Sequence, residues 1–237
     1  KLEMQGGKLD RAVTISSMYL GPDIDNEGIK LVHQTAATNP ALIVLKKADH
    51  ITVAKLLARG LVIGRCIGRM EFGQRSLGNR AILADPTALD LVDKINNMIK
   101  HRDFWMPFAP VLLDSYSKRY LDNLKDIQAP HMTIAFPTTD EGFAAMRAAC
   151  HPADRTARPQ ILHQKDNSEL YELLLEFEKI TGRGALLNTS FNMHGSPIVH
   201  TAQNAYDVFL QTGLECLWLE GVLIAKESCR SHLEDIL

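Results

Sequence analysis

"LVIGRCIGRMEFGQRSLGNRAILADP", Leu61 to Pro86, is the stretch on which the fold turns. The mostly apolar "LVIGRCI" reads as a strand, and "RAILAD" reads as a second one, punctuated by Asp85 and Pro86. Between them stand Gly68, Gly73 and Gly78, accompanied by Arg69, Arg75 and Arg80. A surface helix built for solubility would avoid such glycines, because each costs about 1 kcal/mol in a helix interior. Glycine lets backbone amides approach an anion, and the planar guanidinium grips phosphate or carboxylate oxygens in pairs. A tight strand-to-strand turn, with its arginines paired to Glu71 and Asp85, would use the same residues. The loop is not a P-loop, since Gln74 and Arg75 stand where lysine and a hydroxyl residue are required.

Strands and helices mingle outward from this stretch. Upstream, "ITVAKLLARG" carries a helical apolar stripe that stops at Gly60, and a short helix is expected from Asn26 to Thr35. Downstream, "TALDLVDKINNMIK" places Leu89, Val92, Ile95 and Ile99 on one helical face, "PFAPVLL" is extended, and "DSYSKRYLDNL" reads as helical. "HMTIAFP" and "RPQILH" read as extended and "DEGFAAMRAA" as a helix. "NSELYELLLEFEKITG" is a helix capped by Asn167 or Ser168 and closed by Gly182. "GALLNTS" is a strand, "TAQNAYDVFLQTG" a helix capped by Thr201, and "CLWLEGVLIAKE" one or two closing strands. The class is therefore α/β or α+β, with a twisted mixed sheet. Residues 1–45 read as a linker or the tail of a preceding domain, and residues 46–237 as the domain proper.

The chain of 237 residues is 46% hydrophobic, enough for a sizeable core, and its net charge of -2 gives no overall field for nucleic acid or anionic membranes. An anion site must be local. No C-x-x-C pair occurs among Cys66, Cys150, Cys216 and Cys229, which argues against structural zinc and a disulfide framework. No apolar run approaches the roughly 20 residues that span a bilayer. A reduced, cytoplasmic setting without a membrane partner is expected.

Three further stretches carry chemistry. "NNMIKHRDFWMPFAP" sets Lys100 and Arg102 just beyond a helix, as anion contacts or as ordinary partners of the helix dipole, with Phe104, Trp105 and Phe108 read as core. "HPADRTARPQ" offers His151 and Asp154 without the third ligand a zinc site needs, so Arg155 and Arg158 read as anion contacts and no metal site is expected. "LLNTSFNMHGSPIV" gathers Asn188, Thr189, Ser190 and Asn192 at the end of a strand, where α/β sheets collect ligands, although the same residues are turn-formers.

In this order, "GRMEFGQRSLGNRAILADP", the Lys100 stretch, "HPADRTARPQ" and "LNTSFNMHGSPIV" resemble the carboxy-terminal region of the NodU/CmcH family of O-carbamoyltransferases, from about His50 to Glu227. "YLGP", Tyr19 to Pro22, resembles that family's linker. The resemblance implies a YrdC-like fold, an open twisted mixed sheet with flanking helices. It implies that carbamoyl phosphate and ATP, with Mg2+, are converted to carbamoyl-adenylate. A metal-binding amino-terminal domain of the full-length protein would then pass the carbamoyl group to an acceptor hydroxyl. On this reading Arg75, Lys100, Arg102 and His151 are catalytic, with His151 orienting or protonating a leaving phosphate. Arg69, Asn79, Arg80, Arg158, Asn188, Ser190 and Asn192 hold substrate or nucleotide. Gln74, Ser76, Asp103 and Met106 depart from the family's usual proline, alanine, glutamate and arginine. Two other functions suit the same residues: an RNA-binding module, given seven Lys/Arg against four Asp/Glu between Arg65 and Arg102, and a non-catalytic nucleotide-binding domain.

Overall fold

Strands whose residues are apolar on both faces must be covered on both faces, and here they are. The computed structural model describes residues 17–100, 106–123 and 125–236. In chain order the elements are α1 (Asn26–Thr38), β1 (Leu42–Leu45), α2 (His50–Ala58), β2 (Ile63–Cys66), β3 (Arg80–Ala84), α3 (Asp90–Ile95), β4 (Ala109–Leu113) and α4 (Ser117–Tyr120). They continue with β5 (Phe136–Pro137), α5 (Asp140–Met146), β6 (Thr156–Ala157), β7 (Gln160–Leu162), α6 (Ser168–Thr181) and β8 (Ala185–Ser190). The last are α7 (Ala202–Gln211), β9 (Cys216–Leu219), β10 (Val222–Lys226) and α8 (Arg230–Glu234).

Eight strands form an open sheet in the order β1-β10-β9-β2-β3-β8-β4-β7, and β5 pairs with β6 separately. β2 runs parallel to β9 and β4 parallel to β7, while the other neighbours are antiparallel, so the sheet is mixed as expected. Alternation along β3 sets the layers: Ala81 and Leu83 face a cluster with Leu56 and Leu57 of α2 and Leu173 and Phe177 of α6. Ile82 and Ala84 face the opposite cluster, with Val32 of α1, Ile95 of α3 and Phe209 of α7. The architecture is helix, sheet, helix.

Local signals place the helices. Asn167 Oδ1 accepts from Leu170 N at 3.0 Å to start α6, and Gly182 ends it at φ 72°. Thr201 and Asn204 cap α7 reciprocally. Four expectations need correction. Residues 26–45 are not wholly linker, because α1 packs on the core through Val32 and Ala36, and β1 pairs with β10 at the sheet edge. The helix expected over residues 87–100 is α-helical only in α3, and Asn96–Lys100 widens into a π turn. "DSYSKRYLDNL" forms a 3-10 turn (Asp114–Tyr116) and the single-turn α4, after which Leu121 turns extended to bridge Thr138. Of "HMTIAFP" only Phe136 and Pro137 form a strand; Met132, at φ 54°, breaks the extended run. Among the described residues no helix is long and apolar enough to cross a membrane, and all four cysteines are buried free thiols.

Candidate active site

The loop between β2 and β3 closes on an anion of its own. The Glu71 carboxylate, only 5% exposed, accepts the backbone N–H groups of Leu77 and Asn79 through Oε1 at 2.7 and 2.8 Å. Gly73 and Gly78 turn the chain at φ 106° and 112°, conformations that other residues rarely adopt. Arg80 is fully buried, and its guanidinium donates to the carbonyls of Ile67 and Gly68 at 2.9 Å each. Arg69 donates to the carbonyls of Gly21 and Leu20 at 3.0 Å each. Asn79 Nδ2 donates to Arg69 O at 2.8 Å, and its Oδ1 accepts from Arg65 Nη1 and Asn167 Nδ2, both at 2.9 Å. Asp85 pairs with Arg183 rather than with a loop arginine.

Arg80 and Asn79 are thus committed to the loop's own backbone, and Arg69 to the backbone of the segment before α1. Arg69 and Asn79 line a separate broad depression with Tyr19, Asn167 and Ser168. The loop arginine that reaches the candidate site is Arg75, which is exposed.

Arg75 opens onto two adjoining hollows that share Arg75, Pro107 and Arg158. The tighter hollow, about 380 Å³ of open space, adds Ser76, Asn188, Thr189 and Ser190. The wider one, about 970 Å³, adds His151, Thr156 and Met106, one of the departures from the family pattern. β8 supplies the polar wall because its buried apolar half, "ALL", gives way to "NTS" where the strand leaves the core. Asn188 lies opposite Ala109 of β4 and Leu83 of β3.

Behind this wall sits Lys100, at the end of the π turn and 2% exposed. Its Nζ donates to Asn192 Oδ1 at 2.7 Å and to Ser190 Oγ and Asn192 O at 3.1 Å each. Ser190 Oγ donates to Asn192 Oδ1 at 2.7 Å, and Asn192 Nδ2 donates to Ser196 O at the same distance. His194 Nδ1 donates to Lys100 O at 3.0 Å. The extra residue of the π turn places the ammonium on these acceptors, a local geometry often found at functional sites.

His151 Nδ1 accepts from Ala153 N at 3.3 Å and lies 3.3 Å from Asp154 Oδ1. Hydrogen bonds from the Thr156 N–H and hydroxyl hold the Asp154 carboxyl below its ordinary range. No group of three His, Cys, Asp or Glu that could hold a metal gathers among the described residues. The structure therefore brings Arg75, Arg158, Asn188 and Ser190 to one hollow, His151 to its extension, and Lys100 and Asn192 behind it. Arg102, Phe104, Trp105 and Asp103 lie outside the described residues.

Two features went unread in the sequence. Met132 also lines the tight hollow, beside Thr189. Arg65 is fully buried in β2 at 5.4 Å from the Trp218 ring, and burial lowers its pKa. The signal for Arg65 was a lone charge inside an apolar strand.

Residues 54–226 match the family described as Carbamoyltransferase C-terminus. The chain belongs to this carbamoyltransferase C-terminal family. Nodulation protein NolO of Bradyrhizobium diazoefficiens is 35% identical over 216 residues, which are 90% of this chain and 39% of that protein. The 3'-hydroxymethylcephem-O-carbamoyltransferase of Streptomyces clavuligerus is 32% identical over 200 residues, 82% of this chain and 37% of that enzyme. An uncharacterized protein of Methanocaldococcus jannaschii, MJ1058, is 41% identical over 174 residues, 73% of this chain and 28% of that protein. The carbamoyltransferase C-terminal chain thus spans well under half the length of these relatives. A crystal structure of full-length HypF, in its phosphate- and nucleotide-bound form, superposes with a TM-score of 0.52 at 14% identity, over 81% of this chain and 23% of that one. That likeness bears out the YrdC-like fold expected of the family.

Proposed function

We propose that this domain binds carbamoyl phosphate and ATP in the Arg75–Arg158 groove and forms carbamoyl-adenylate. A separate metal-binding amino-terminal domain would pass the carbamoyl group to an acceptor hydroxyl. The observation that carries the reading is the meeting of Arg75 and Arg158 on one polar wall. Paired guanidinium N–H donors suit phosphate oxygens. The relatives named as O-carbamoyltransferases support transfer to oxygen.

Water cleaves carbamoyl phosphate to carbamate and phosphate. A carbamate oxygen then attacks the α-phosphorus of ATP, the bond to the bridging oxygen breaks, and pyrophosphate leaves. Such a displacement asks for positioning and preorganised positive charge, with no nucleophilic side chain. Arg75 and Arg158 supply the charge, and Arg102 is kept as a further cation. Lys100 acts through Ser190 and Asn192, whose orientation it holds. His151, at the wide end of the groove, orients or protonates the leaving phosphate. Arg69, Asn79 and Arg80 keep the loop in shape.

The donor set fits an ATP whose metal is held mainly by its own phosphates and by water, since no acidic cluster lines the groove among the described residues. Bound Mg2+ would neutralise phosphate charge during the displacement. Calorimetric titration of the purified chain with carbamoyl phosphate and with ATP and magnesium tests the reading. Binding of both, weakened by Arg75→Ala, is expected; no heat from either ligand would contradict it.

A further inference from the structure

Asn188 has a single chemical function left to offer. The residue is 1% exposed and lines the tight hollow. Its Nδ2 donates to Ser76 O at 3.2 Å and to Gln160 Oε1 at 3.3 Å. Neither orientation is arbitrary. Gln160, itself 1% exposed, donates through Nε2 to Leu77 O at 3.1 Å, and a backbone carbonyl can only accept. Gln160 therefore turns Oε1 toward Asn188, and Asn188 must answer with its amide nitrogen. Ser76 O imposes the same choice. Two main-chain carbonyls thus fix both side-chain amides, which removes the usual ambiguity between oxygen and nitrogen.

What remains is Asn188 Oδ1, buried and without a hydrogen-bond partner. Buried carbonyl oxygens are nearly always paired, so this one awaits a donor. A phosphate oxygen cannot serve, because it too is an acceptor. With its donors committed elsewhere, Asn188 is poorly placed to hold phosphate or ribose oxygens, the role its sequence context suggested. Phosphate falls instead to Arg75 and Arg158 on the same wall. The ligand that fits carries an N–H donor close to an anion. In carbamoyl phosphate one carbon and one oxygen separate the amide nitrogen from phosphorus, whereas the amino group of adenine lies far from any phosphate.

We infer that Asn188 is the specificity-determining residue for the carbamoyl group, its Oδ1 accepting from the substrate's NH2, and that Gln160 is a positioning residue holding it in that orientation. The inference rests on the groove being the carbamoyl phosphate site. Acetyl phosphate, with a methyl group in place of the NH2, is the probe that separates the two ideas.

The experiment measures dissociation constants of the purified chain for carbamoyl phosphate, acetyl phosphate and inorganic phosphate. Carbamoyl phosphate is expected to bind at least about tenfold more tightly than acetyl phosphate, because a site built for an N–H rejects the analogue that lacks it. Gln160→Leu, which frees the Asn188 amide to turn, is expected to shrink that ratio to below about threefold. Equal binding of carbamoyl and acetyl phosphate by the unaltered chain overturns the inference and leaves the phosphate groove standing. Failure of all three to bind overturns the groove reading and this inference together. Should Gln160→Leu not fold, the ratio measured on the unaltered chain still decides.

Discussion

Glu71 Oε1 accepts the backbone N–H of Leu77 at 2.7 Å, across the loop that carries the arginines. The glycine-rich stretch holds an anion, and that anion is the chain's own carboxylate. Glu71→Ala would leave the N–H groups of Leu77 and Asn79 buried without an acceptor. The expected cost is about 2–3 kcal/mol, or roughly 4–12 °C in Tm, measured by thermal unfolding. An unchanged Tm would show that the carboxylate does not organise the loop.

Arg75 and Arg80 sit five residues apart and are expected to respond differently to truncation. Arg75 is exposed at the groove, so Arg75→Ala should shift Tm by no more than about 2 °C and weaken anion binding about tenfold or more. Arg80 is fully buried against the carbonyls of Ile67 and Gly68. Arg80→Ala should therefore cost about 3 kcal/mol or more in a denaturant titration, since two acceptors lose their donor. The reverse pattern would exchange the roles assigned to the two residues.

Gly78 meets two constraints at once. Its φ is 112°, and a Cβ there would lie 2.4 Å from Leu170 Cδ2, in the core beneath α6. Gly73, at φ 106°, has open space around its missing side chain. Gly78→Ala is expected to lose about 2–4 kcal/mol, while Gly73→Ala pays backbone strain alone, about 1–2 kcal/mol. Urea midpoints of the two variants distinguish these effects.

Tyr19 ties the segment before α1 to the loop, its hydroxyl donating to Leu77 O at 2.8 Å. Burial pushes its phenol up to about 12. With the folded value above the unfolded one, the contribution is fully present below pH ~10 and is lost as pH rises toward ~12. The window corresponds to about 2–3 kcal/mol. Tyr19→Phe should remove this alkaline component from a stability profile; a profile of unchanged slope between pH ~10 and ~12 would refute it.

Legibility in the sequence followed the range of the forces. Asn167 and Gly182 bracket α6 through contacts within a few residues, and both were readable. β1 was not, because a four-residue strand has no period to read and its partner β10 lies at the far end of the chain. The π turn at Asn96–Lys100 shares the apolar stripe of an α-helix; its departure follows the reach of Lys100 to Ser190 and Asn192. At the site, sequence could count cations without assigning their faces. "RAILA" is buried throughout, so no polar alternation told whether Arg80 pointed outward or in. The orientation of Asn188 was hidden for the same reason, set by Gln160 and by two carbonyls distant in sequence.

The measurement that tests the central claim most directly is pyrophosphate release by the purified 237-residue chain with ATP and magnesium, with and without carbamoyl phosphate. Release that requires carbamoyl phosphate and falls sharply in Arg75→Ala is the expected result. ATP binding with no pyrophosphate released under either condition would contradict adenylate formation by this domain.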